Sequence, residues 1–280
     1  MSLYLRPNTM EEAVHILAQQ GGSILSGGTD FFPALGDRPV SGTVIDISAI
    51  GSMKGIVPAP DEYRIGGLTT WTDIVASSLP SSFDGLKSAA REIGGIQIQS
   101  RGTVAGNLCN ASPAADGVPP LLALDAEVEL VSTSGSRRVP LSKFIVGNRK
   151  TLCRPDEILA AVLVPRAVED ARSAFLKLGA RRYLVISIAM VAVVVKTDDS
   201  GRIADARVAV GSCSVSAQRL PALERELVGA PAQIGVGALV RRQHLSSLAP
   251  IDDVRATANY RMDAALTLIS RALENCVRTC

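Results

Sequence analysis

The chain has 280 residues, enough for one large domain or two of ordinary size. Its 29 basic residues against 27 acidic ones give a net charge of +2 with no concentrated patch, which excludes a nucleic-acid binder and any strong pull toward a membrane surface. Five cysteines (Cys109, Cys153, Cys213, Cys276 and Cys280) stand apart with no CxxC pair. That dispersal argues against a disulfide framework and against a zinc or iron–sulfur site in this chain, and it fits a reducing, cytoplasmic compartment.

The opening "MSLYLRPNT" lacks a basic start followed by an apolar core, so no signal peptide is expected. Thr9 with Glu12 three residues on forms a capping box, and Val14 and Leu17 supply an apolar face, which predicts a helix over 10–20. Gly21-Gly22 ends it. "SIL" (23–25), "TVIDI" (43–47) and "EYRIGG" (62–67) read as strands; "TDIVASS" (72–78) and "DGLKSAAREIGG" (84–95) read as helices. The segment "SRGTVAGNLCNASPAAD" (100–116) shows no period and is expected to be a long loop. Asp116 is placed to cap a short helix that takes Pro119-Pro120 in its first turn. "AEVELVS" and "RRVPL" around "TSGS" make a hairpin, and "EILAAVLVP" (157–165) a closing strand.

The polar stretch 166–173 is the expected domain boundary. After it, "AFLKLGA", "SIAMVAVVVKT" and "IADARVAVGS" form three strands, the second turned into the third at Asp198-Asp199-Ser200-Gly201. The run "VISIAMVAVVV" (185–195) is about half a membrane span and reads as a buried strand. A closing helix repeats Met262, Leu266, Ile269 and Leu273. Strands followed by helices are an α+β signature.

No nucleophile elbow, HExxH pair or Walker lysine is present, and His15 and His244 fall in predicted helices, where a lone histidine is a surface or edge residue. The chain thus brings little acid–base or covalent chemistry of its own, which points to a cofactor. Two segments offer places for one. In "LSGGTDFF" (25–32) a glycine pair after a strand frees N–H groups for an oxygen-rich anion, with Thr29 and Asp30 beside it. In "GTVAGN", Gly102 and Gly106 bracket Thr103 and Ala105, with Asn107 and Asn110 as amide donors. Neither is the GxGxxG dinucleotide fingerprint.

These segments, with "LRPNTMEEAVHIL", "IGGIQIQSRGTVAGNLCNASPAADGVPPLLALDAEVEL" and "GNRKTLCRPDEILAAVLVP", resemble the FAD-binding (medium) subunit of the molybdenum hydroxylases, of carbon monoxide dehydrogenase and xanthine dehydrogenase type. The resemblance runs over nearly the whole chain. It implies an α+β protein. A two-subdomain FAD-binding fold of the vanillyl-alcohol oxidase type would span 1–168, with subdomains of about 1–55 and 56–168. A C-terminal α+β domain, a three-stranded antiparallel sheet with helices, would span 169–280.

The resemblance also implies a ligand set. Leu25, Ser26, Gly27, Gly28, Thr29, Asp30 and Phe31 would wrap one side of the FAD diphosphate. Thr103, Gly106, Asn107 and Asn110 would hold the other, and Asp116 would reach the adenosine part. Ile93 and Leu159 would make apolar contacts, and Lys177 would approach the isoalloxazine ring. Ala105 stands where the family has a glycine, which would cost about 1 kcal/mol if the position needs a positive φ. Thr29 stands where some members have a histidine, so the FAD is expected to be non-covalent. The implied function is that of an electron-transfer subunit with no catalytic residue and no metal of its own. It would take electrons from [2Fe-2S] clusters in a small subunit, fed by a molybdenum cofactor in a large subunit, and pass them to an external acceptor. The expected assembly is a dimer of heterotrimers. The rival readings are a self-sufficient flavin oxidoreductase of the same fold and a flavin-free assembly subunit.

Overall fold

The computed structural model describes residues 2–278; of the cysteines, Cys280 lies outside them. Three strands open the chain: β1 (Leu3–Leu5), β2 (Ser23–Leu25) and β3 (Thr43–Asp46), with α1 (Met10–Gln20) between the first two and the short α2 (Phe31–Leu35) between the last two. All three run parallel, in the order β1-β3-β2. The Thr9 hydroxyl caps α1 by accepting from Glu12 N–H; the returning arm of the box reaches the N–H of Asn8, one residue earlier than expected. Ala13, Val14 and Leu17 of α1 pack on Ile45, Ile47, Ile50 and Met53, so this small sheet is covered on one face by one helix.

The second unit is a five-stranded antiparallel sheet, ordered β4-β5-β10-β6-β7. Its strands are β4 (Ile56–Pro58), β5 (Glu62–Gly66), β6 (Glu127–Ser132), β7 (Gly135–Pro140) and β10 (Ile158–Pro165). The last, read from sequence as a closing strand, lies in the centre, and seven of its eight residues are buried. The helices α3 (Trp71–Ala76), α4 (Asp84–Glu92), α5 (Ile96–Gln99), α6 (Val104–Asn110) and α7 (Val118–Ala123) fill the β5–β6 connection. Between β7 and β10 come α8 (Leu141–Phe144) and the small hairpin β8 (Ile145–Gly147) and β9 (Lys150–Thr151).

The expected loop over 100–116 therefore contains a two-turn helix, α6. Gly106 and Asn107 are poor helix formers and hide it in the sequence. Thr103 caps it, and Val104, Ala105 and Leu108 bury one side at helical spacing. Ala105 sits inside α6 and is absent from the positive-φ residues, so its substitution for glycine carries no backbone cost. Asp116 does not cap α7; Gly117 occupies that position, and the prolines stand in the first turn as read.

The third unit is an antiparallel sheet of β11 (Arg172–Leu178), β12 (Ala189–Thr197) and β13 (Ile203–Gly211), to which the two-residue β14 (Gln218–Arg219) adds a fourth, edge strand. α9 (Pro221–Leu227) and α10 (Ala258–Arg278) cover one face. The other face does not meet water. Met190, Ala192 and Val194 of β12 join the core of the second unit, with Leu86 and Leu121, while Val191, Val193 and Val195 join Ile269 and Leu273 under α10. Burial on both sides explains the unbroken apolar run. His244 is also buried, in a single 3-10 turn (Arg242–Leu245) rather than on the surface of a helix. Its Nδ1 accepts from Arg241 N–H at 3.1 Å and its Nε2 meets Glu226 at 2.9 Å, which is a structural role. Among the described residues no helix is long and apolar enough to cross a membrane.

Candidate functional site

The two glycine-rich segments meet. Ser26 Oγ lies 3.1 Å from Thr103 Oγ1, which also accepts from Gly106 N–H at 3.0 Å. Gly27 presses its Cα against the backbone of Arg101 and Gly102 so closely that a Cβ there would collide with the Arg101 carbonyl. Gly28 has φ +77°, in the left-handed region, with the Phe32 ring packed over it. The bare backbone is thus required in the first place by the protein itself: one loop docks on another.

Along this seam opens a cavity of about 600 Å³, within the range of small-molecule and cofactor sites. The first subdomain contributes Ser26, Gly27, Gly28, Thr29, Asp30 and Phe31 to its wall; the second contributes Thr103, Gly106, Asn107 and Asn110, and Ile93 and Leu159 supply apolar surface. Three of the residues named from sequence are not on this wall. Leu25 is buried behind it. Asp116 and Lys177 are bonded to each other, Nζ to Oδ2 at 2.6 Å, with both side chains almost fully buried. Ser187 Oγ donates to the second Asp116 oxygen, and Lys177 Nζ donates to the Glu92 carbonyl at 3.2 Å, at the end of α4. Burial pushes the Asp116 carboxyl up, against the opposing pull of the Lys177 ammonium. The pair joins the α6–α7 loop to the third unit.

Backbone N–H groups are distributed unevenly around the cavity. Those at the start of α6 are spent: Val104 donates to Thr69, Ala105 to Gly67, Gly106 to the Thr103 hydroxyl and Asn107 to the Thr103 carbonyl, all at 3.0–3.1 Å. On the facing loop the N–H groups of Gly27, Gly28 and Thr29 find no acceptor among the described residues. Asn107 adds a buried Oδ1 that has no donor.

The wall is almost free of net charge. Glu157, which also lines it, is clamped by Arg137 through two bonds of 2.6 and 2.8 Å and by the Arg154 N–H at 2.8 Å, and Arg137 holds its carboxyl below the ordinary value. Asn110 accepts from Arg149. Cys109 and Cys153 both face the cavity, and burial among protein atoms pushes their thiols up to about 12 and about 11. Cys109 has surface open to the cavity, yet the protein around it disfavours the thiolate. Among the described residues no group of three or more His, Cys, Asp or Glu could hold a metal.

Sequence reasoning missed Trp71, Ile98, Cys109 and the Cys153–Ile158 wall. Trp71 carried a signal: it is the only tryptophan and directly follows Thr70, whose side chain forms a reciprocal capping box with Asp73.

Comparison with known proteins places the chain. The pattern of the FAD binding domain in molybdopterin dehydrogenase matches residues 1–167, and that of the CO dehydrogenase flavoprotein C-terminal domain matches residues 174–276. The nicotinate dehydrogenase FAD-subunit of Eubacterium barkeri is 34% identical, over 81% of this chain and 80% of its own length. The xanthine dehydrogenase FAD-binding subunit of Escherichia coli is 30% identical, over 98% and 95%. Among solved structures, a chain of the carbon monoxide dehydrogenase from Hydrogenophaga pseudoflava, in a form lacking the Mo-pyranopterin moiety of its molybdenum cofactor, superposes with a TM-score of 0.90. It is 27% identical and covers 99% of this chain and 98% of its own.

Proposed function

The chain belongs to the FAD-binding subunits of the molybdenum hydroxylase family, and from that membership we propose that its cavity holds FAD, non-covalently, as an electron relay within a larger dehydrogenase. When bound, FAD supplies the ability to take electrons singly from iron–sulfur clusters and release them in pairs to an external acceptor. The residues present fit that group. The observation that carries the reading is the row of unspent N–H groups at Gly27, Gly28 and Thr29, residues that line a cavity of cofactor size. Such a row receives a diphosphate, whose charge the nearly neutral wall does not otherwise balance.

The side chains then have distinct tasks. Ser26 and Thr103 hold the two loops together behind the diphosphate. Asn107 lines the cavity with its Oδ1 turned inward beside Gly117 and unpartnered, so a turn of the amide would offer it to a ligand hydroxyl. Ile93 and Leu159 exclude water from the flat rings. Lys177 acts at one remove: by holding the Glu92 carbonyl and Asp116, it fixes the end of α4 from which Ile93 reaches the wall. Burial pushes both wall thiols up, which disfavours the thiolate that a nucleophilic role would need.

We place the domain division near residue 168 and the oxidised substrate in a separate large subunit with the molybdenum cofactor. A small subunit with two [2Fe-2S] clusters completes a heterotrimer, which pairs into a dimer. The test is a titration of the flavin-free full chain with FAD. Trp71, the only tryptophan, lines the cavity, so its emission should be quenched to saturation at one FAD per chain, with no substrate turnover by the chain alone. Asn107→Ala should weaken binding by about 1–3 kcal/mol. An unchanged Trp71 signal and a colourless protein would refute the reading.

A further inference from the structure

A second, smaller pocket of about 250 Å³ lies back to back with the first, and Ser26, Gly27 and Thr103 line both. The second pocket differs sharply in charge. Arg6, Lys54 and Arg101 converge on it from three separate segments: the β1–α1 loop, the turn before β4, and the turn between α5 and α6. Ser48, Thr70 and Ser100 add hydroxyls.

Arg6 is partly engaged, its Nε 3.6 Å from Asp46 and its terminal nitrogen 3.4 Å from Ser48 Oγ. Asp46 is itself committed to the Tyr4 hydroxyl and the Ser48 N–H. Lys54 and Arg101 have no carboxylate partner among the described residues. Both are exposed, and among the described residues no acid is bonded to either, so the like charges around this concavity are offset by solvent alone. Such a pocket suits an anion. Guanidinium groups suit oxyanions in particular, because their planar fork matches two oxygens at once.

Size limits the ligand. At about 30 Å³ per water, the pocket has room for about eight waters, enough for a phosphate with a small organic remainder and too little for a dinucleotide. We propose that this pocket binds a phosphate group, free or as a small phosphate monoester, at a site separate from the dinucleotide cavity and sharing its Ser26–Gly27–Thr103 wall. The site stands beside the flavin reading and does not rest on it.

The test is calorimetric titration of the full chain, with and without FAD, at constant ionic strength. The two probes are inorganic phosphate and glycerol 3-phosphate. Saturable binding of one anion per chain is expected in both forms of the protein, and the tighter of the two names the source. Arg101→Gln and Lys54→Gln should each weaken it at least tenfold while FAD content, read from the visible spectrum, stays at the wild-type level. Absence of saturable binding for both probes would overturn the proposal. So would equal binding by the two variants, or loss of phosphate binding once FAD is loaded, which would put the anion on the dinucleotide cradle instead.

Discussion

Gly27 and Arg101 touch backbone to backbone, with the Cα of one seated on the carbonyl of the other. The contact makes the first glycine of the pair a docking point between subdomains whether or not a ligand is present. Gly27→Val should therefore destabilise the flavin-free chain as well as weaken FAD binding, by about 1–3 kcal/mol or more for forced overpacking against backbone. Thermal melts of the flavin-free proteins check this. A wild-type melting point combined with lost flavin would mean that the glycine serves the ligand alone.

The Asp116–Lys177 pair should behave as a latch between units. Lys177→Met leaves a carboxylate buried without its cation, at a cost of about 3–5 kcal/mol. The double variant Asp116→Asn, Lys177→Met removes both charges and should recover much of that loss. A double-mutant cycle by denaturant unfolding reads the coupling; additive losses would show the two groups to be independent.

Glu157 links the cavity wall to acid stability. Its folded-state pKa is lowered, chiefly by hydrogen bonds from Arg137. The stabilisation is complete above the ordinary glutamate value of about 4.3 and disappears as the pH falls through the lower, folded value. The difference in stability between wild type and Glu157→Gln should accordingly be largest near neutrality and vanish in acid. Unfolding curves across that range provide the measurement; a difference that does not change with pH would assign the loss to packing.

Cys109 should be a sluggish thiol. With its pKa pushed up to about 12, it holds very little thiolate at neutral pH despite facing the cavity. Iodoacetamide should modify it far more slowly than a free cysteine, and more slowly again once FAD fills the cavity. Peptide mass mapping over time distinguishes the site. Modification as fast as that of free cysteine would show an open, solvated thiol.

Much of the architecture was legible because periodicity and capping are local. Thr9, Val14 and Leu17 announce α1 without help from the rest of the chain. The helix α6 was not legible, because its stability comes from elsewhere: Thr69 and Gly67 supply carbonyls to its first turn, and neither is near it in sequence. The same holds at the site. The glycines of 25–32 and 102–106 advertise close backbone approach, but nothing in the sequence says that the approach at Gly27 is to Arg101. The family resemblance names Asp116 and Lys177 as separate contacts to the two ends of the cofactor, whereas the fold bonds them to each other away from the cavity wall. Their partnership spans 61 positions and only the fold reveals it. The cation cluster of the smaller pocket is drawn from residues 6, 54 and 101 and has no linear signature at all.

The strand β12 has core on both faces, and one of those cores belongs to the FAD-binding region. The consequence concerns how the chain comes apart. A fragment ending near residue 168 would turn the surfaces of Leu86 and Leu121 toward water, and the complementary fragment would do the same with Met190, Ala192 and Val194. Neither half carries a finished exterior, so the sequence boundary between the two matched regions is not a line along which the molecule can be divided. Heating should melt the chain in a single step, and a protease that nicks the 166–171 connection should leave the two pieces associated until both unfold.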